Sequence, residues 1–101
     1  MATDPKFFDR ADAHIDLSNE QLSDISRGKV SASMMYATAR FNAWVSACGF
    51  NASAEMTKAK EESLEYFVGE YRKMLEENFE DYIKNFDDYM KTKKASGAND
   101  V

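Results

Sequence analysis

From Leu64 to Tyr89 the apolar residues of this chain hold a single helical phase. Leu64, Phe67, Val68, Tyr71, Met74, Leu75, Phe79, Tyr82, Phe86 and Tyr89 recur at helical spacing, with Asn78 inside the row. At about 100° per residue they share one side of a helix, and the stripe never shifts. This predicts one long helix running to about Lys91. A competing signal sits at Asn78, where Phe79-Glu80-Asp81 follows and resembles a helix start with acids in its first turn. A break there would turn three helices into four. Gly69 is a second weak point, costing about 1 kcal/mol relative to alanine. The unbroken stripe favours continuity through both positions.

Two shorter helices precede it. The first is expected to begin at Asp4-Pro5, a capping residue followed by a proline suited to the first helical position. Phe8, Ala11, Ile15, Ser18, Leu22 and Ile25 give its stripe, and Gly28 is the expected C-terminal cap. The second helix is predicted from about Ser31 to Cys48. Arg40 is the one charge between Val30 and Ala54, and a helix without a charged face is normally covered on several sides. Gly49-Phe50 should end it, and Asn51 or Ser53 should cap the next helix. A connection this short makes the second and third helices antiparallel neighbours. The fold class expected is therefore all-α: a small antiparallel bundle of three helices with a long C-terminal helix.

With 101 residues there is room for one core. Residues 1–91 are expected to form a single helical domain and residues 92–101 a flexible tail. A scarcity of Val, Ile and Thr, one proline and four glycines all favour a few long helices. The lone Cys48 permits no intrachain disulfide and no cysteine zinc site. The first residues lack the apolar run of a signal peptide, and no stretch reaches the ~20 apolar residues of a membrane span. A cytoplasmic protein that does not enter membranes is the reading. The net charge of −5 is uneven, with ten acids against three bases between residues 61 and 90. Such a surface repels phosphate backbones, so nucleic acid is not an expected partner.

The helix lengths are mismatched. The first two span roughly 30 Å each and the third nearly twice that. The overhang would carry Phe79, Tyr82, Phe86 and Tyr89, each able to bury about 150–200 Å². Stripes of that size mark contacts. Either the helix breaks near Asn78 and folds back, or two chains cover each other's overhangs as a homodimer. The dimer is favoured, because an asparagine within a helical seam can fix register and oligomeric state.

The segments Phe7-Phe8-Asp9-Arg10-Ala11-Asp12-Ala13-His14-Ile15, Ser26-Arg27-Gly28-Lys29-Val30-Ser31-Ala32-Ser33-Met34-Met35-Tyr36, Ala39-Arg40-Phe41-Asn42-Ala43 and Tyr71-Arg72-Lys73-Met74-Leu75-Glu76-Glu77-Asn78 resemble a proteobacterial family of small helical proteins. It is the family catalogued as domain of unknown function 3144. The resemblance covers nearly the whole chain outside the tail and is most specific at Arg27 to Ser33. It implies a bacterial, cytoplasmic helical protein and supplies no activity, cofactor or catalytic residue.

The residues themselves offer little chemistry. His14 is flanked by Asp12 and Asp16, and residues two apart do not share a helix face. The Glu-x-x-His spacing of di-iron bundles would need an acid at position 11, which is Ala11. The glutamates beside the stripe read as a solvated helix face. Cys48 lies at a helix C-terminus, the wrong end to stabilise a thiolate, and reads as a core residue. Arg40, the one charge on the expected second helix, calls for a carboxylate such as Asp9, Asp12, Asp16 or a glutamate of the third helix; the alternative is an anion or partner contact assisted by Asn42, Arg27 and Lys29. No phosphate loop, nucleophile elbow or zinc motif is present. No catalytic residue, metal site or cofactor is therefore assigned, and no enzyme is expected. The expected function is self-association or binding to another protein through Arg40, Asn42, Trp44, Tyr71, Asn78, Phe79, Tyr82, Phe86 and Tyr89. The alternative is a small-molecule pocket lined by Met34, Tyr36, Phe41, Trp44 and Tyr71.

Overall fold

The structure, a computed structural model, describes the backbone of residues 4–96 and the side chains of residues 4–91. It is all-α, consistent with a small helical bundle, with four helices: α1 (Phe7–Gln21), α2 (Arg27–Ala47), α3 (Ser53–Lys84) and α4 (Phe86–Ser96). The chain divides into two units, one up to Ala39 and one from Arg40 onward, so the boundary falls inside α2.

In the first unit, α1 begins two residues later than Asp4-Pro5 suggests. Asp4 still organises its start. Its carboxylate accepts the Lys6 backbone N–H at 3.1 Å and a two-pronged contact from Arg10, at 3.2 and 2.8 Å. The guanidinium holds the Asp4 carboxyl below its ordinary pKa, and the carboxylate raises that of Arg10. α1 also ends earlier than expected. The N–H groups of Leu22, Ser23 and Asp24 each bond a carbonyl three residues back, tightening the last turn. The Ser23 hydroxyl donates to the Glu20 carbonyl at 3.0 Å.

Gly28 is not the cap of α1. It lies in the first turn of α2, directly after Arg27. Ser26 stands immediately before that helix, a residue type preferred at helix starts, and its carbonyl accepts the Val30 N–H. The start of α2 therefore moves back from Ser31 to Arg27. Val30, at 5 % exposure, is the one buried hydrophobic residue among those described. The Ser18 hydroxyl, 3.5 Å from the Met34 sulfur, links α1 to α2.

The second unit holds the end of α2, then α3 and α4. α2 stops where Gly49 predicts, with the Gly49 and Phe50 N–H groups bonding the Ser46 and Ala47 carbonyls. The start of α3 differs from expectation. Ala52, extended at φ −152° and ψ 150°, is the capping residue and has no side chain to cap with. Glu55 in the first turn accepts the Asn51 backbone N–H at 3.0 Å, tying the residue before the cap to the start of the helix.

α3 runs unbroken through Asn78, as the stripe implies, because the Asn78 carboxamide donates to the Met74 carbonyl of its own helix at 2.8 Å and the ladder stays intact. The break comes seven residues later, so continuity to Lys91 does not hold. Asn85 leaves helical geometry at φ −111° and ψ 30°. Its carboxamide bonds both the carbonyl and the carboxylate of Asp81, at 3.2 and 2.9 Å. Phe86-Asp87-Asp88 then opens α4 with acids in the first turn. This is the Asn-Phe-acid-acid pattern noted at Asn78, repeated one heptad on. Of the expected tail, residues 92–96 belong to the backbone of α4, and residues 97–101 lie outside the described residues.

Candidate interaction surface

All nine residues singled out from the sequence lie in the second unit. Partial burial along α3 falls on Met56, Ala59, Ser63, Phe67, Gly69 and Glu70, mostly at spacings of three and four, and it stops there. From Tyr71 to Lys84 every residue of α3 is exposed. That stretch carries Tyr71, Met74, Leu75, Phe79, Tyr82 and Ile83, and α4 adds Phe86 and Tyr89. Phe79 is 59 % exposed, and the others range from two-fifths to nearly three-quarters.

The aromatic row bends with the chain at Asn85. The rings of Tyr82 and Tyr89 lie 4.5 Å apart, tilted by 36°. The Tyr89 hydroxyl donates to the Asp81 carboxylate at 2.8 Å. That bond, first among several causes, raises the Tyr89 pKa, since ionising the phenol would set an anion against a carboxylate. The stripe is therefore one surface with a fixed angle in it.

Its borders are acidic. Glu70, Glu77, Asp81 and Asp88 follow one edge at intervals of seven, four and seven. On the other edge stand Glu61, Glu65, Arg72 and Glu76, with Arg72 3.5 Å from Glu76. Lys73 pairs with Glu70 at 3.1 Å. Such exposed pairs contribute little, about 0–1 kcal/mol each, and leave the carboxylates free to exchange partners.

The candidates on α2 are less tightly held. Trp44 is 60 % exposed and leans on Phe41, the ring centres 5.6 Å apart. Asn42 is half-buried. Arg40 is exposed, and no hydrogen bond or ion pair holds it among the described residues, so the carboxylate expected for it is not in place. The expectation that α2 is covered on several sides is not met, since Met35, Tyr36, Phe41 and Trp44 are all exposed. Cys48 is likewise exposed rather than in a core.

At the α3–α4 turn a polar depression of 340 Å³ is lined by Ile83, Lys84, Asn85, Phe86, Asp87 and Asp88. It contains none of the aromatic and methionine residues from which a ligand pocket was expected. Among the described residues no three His, Cys, Asp or Glu side chains are grouped as a metal ion would require. No described helix is long and apolar enough to cross a membrane.

Against this geometry stands the sequence comparison. The family model described as Protein of unknown function (DUF3144) matches residues 7–83. The chain belongs to the DUF3144 family. The match takes in α1, α2 and all of α3 but its last residue. No curated protein and no solved structure matches this DUF3144 chain.

Proposed function

We propose that this DUF3144 protein is a helical interaction module, without catalytic activity of its own, that works in the bacterial cytoplasm. It acts by self-association or by binding another protein through the stripe on α3 and α4. One observation carries this reading: every residue of α3 from Tyr71 to Lys84 is exposed, and the large apolar side chains run through this stretch and on to Tyr89. An isolated exposed leucine needs no explanation, but a continuous aromatic row does. The acidic borders favour a protein partner over a nucleic acid, whose phosphates they repel. The cytoplasmic assignment rests on the lone cysteine, which permits no intrachain disulfide.

The test is a photo-activated cross-linking residue placed at Phe79 in living cells, with Glu80, on the side away from the stripe, as control. A covalent adduct to a protein chain at Phe79 and none at Glu80 is the expected result. Equal labelling at both positions, or none at either, would remove the stripe as an interaction surface.

A further inference from the structure

We infer that the occupant of the uncovered stripe is α2 of a second copy of this chain, each copy covering the other. This rests on the interaction reading above and names its partner. The argument begins with reach. α2 has 21 residues, about 32 Å of helix, and is joined to Ser53 by a short turn. Running back along its own α3 it would extend no further than about residue 74. Phe79, Tyr82, Phe86 and Tyr89 lie beyond that, and burial along α3 ends at Glu70. The far half of the stripe needs a surface from another chain.

Charge then selects among the surfaces a second copy can offer. Pairing α3 with another α3 about a two-fold axis fails. In the antiparallel sense the edge bearing Glu70, Glu77, Asp81 and Asp88 meets itself, and in the parallel sense it meets the edge of Glu61, Glu65, Arg72 and Glu76, whose one cation already lies 3.5 Å from Glu76. Acids face an excess of acids both ways. α1 carries four acids against Arg10. α2 alone is free of acids; its charges are Arg27, Lys29 and Arg40. It is also apolar around most of its circumference, and Arg40 has no partner among the described residues. An acid-rimmed apolar stripe without cover and a cationic apolar helix without a charged face are complementary halves of one contact.

The area suffices. Tyr71, Met74, Leu75, Phe79, Tyr82, Phe86 and Tyr89 are each about half exposed, which leaves about 600 Å² of apolar surface per copy. A two-fold pair uses that stripe twice and covers it with as much of α2, about 2,400 Å² in total, within the range of stable dimers.

The experiment uses two charge-reversed forms of the full chain, Arg40→Glu and the double variant Glu77→Lys with Asp88→Lys. All three positions are exposed, and circular dichroism verifies that helix content is kept. Mass is measured by light scattering over a concentration series. Wild type should run as two chains. Each variant alone sets like charges together at both contacts and should dimerise about 10- to 30-fold more weakly. An equimolar mixture restores opposite charges at both contacts and should return to the mass of two chains, one of each kind. A mixture no tighter than the separate variants would overturn the α2–α3 pairing. A wild-type chain that stays single at every concentration would overturn the second copy. If the Phe79 cross-link still captured a different protein, the interaction reading would survive that result.

Discussion

Replacing Phe79 with alanine separates an idle aromatic from one that is covered in use. Phe79 is 59 % exposed, so of the ring's surface of about 200 Å², about 120 Å² is open in the single chain. Covering that area is worth about 3 kcal/mol per copy at 25 cal/mol per Å². With two copies per dimer, and with allowance for what alanine still buries, Phe79→Ala should cost the pair about 4–5 kcal/mol. That is a weakening of a thousandfold or more. The fold of the single chain loses much less, about 1 kcal/mol, because part of the remaining contact is with the helix itself and persists on unfolding. Sedimentation equilibrium across a concentration series reads the first quantity, and urea unfolding of the dilute chain reads the second. Val30→Ala serves as the contrast. At 5 % exposure it should cost about 2 kcal/mol of folding stability through lost burial and a residual cavity, while the mass of the folded protein stays unchanged. If Phe79→Ala leaves the concentration dependence where wild type has it, nothing covers the ring and the overhang argument fails.

Two further outcomes follow from ionisable groups. The Tyr89 phenol is raised above its ordinary pKa by its bond to Asp81, so its stabilising effect is complete below the unfolded value near 10 and disappears as pH rises through the folded one. Ultraviolet titration should show one late-ionising tyrosine that is missing in Tyr89→Phe, and alkaline solution should loosen the α3–α4 turn in wild type only. Asp4 is held below its ordinary value by Arg10, so its contribution is present above the unfolded value near 3.8 and is lost as pH falls through the folded one. Carboxyl NMR shifts should place the Asp4 midpoint low in wild type and return it to the ordinary value in Arg10→Ala.

How much of this was legible beforehand differs by element. The continuity of α3 through Asn78 could be read, because a stripe that keeps its phase demands one axis. Gly49 as the end of α2 could be read for a similar reason, since glycine there had no apolar period beyond it. The α1–α2 boundary was misplaced because glycine is the louder signal; serines at 23 and 26 close one helix and precede the next without it. The bend at Asn85 was hidden because Phe86 and Tyr89 stay in phase across it, and only the repeat of Asn-Phe-acid-acid could have marked it. Burial was the least legible property. Periodicity shows which residues share a side of a helix, as with Trp44 and Cys48, but not whether anything lies against that side.

The scarcity of buried side chains around Val30 also bears on how the chain folds in time. Most of its hydrogen bonds join residues three or four apart, and such local contacts form within about a microsecond. Little long-range closure has to be completed before helices exist. On the proposed pairing of two copies, the slow event is the meeting of two helical chains, so refolding rate should rise with protein concentration. In a cell, copies still awaiting a mate would be the ones most open to proteases, and the level of the protein would set how long each copy survives.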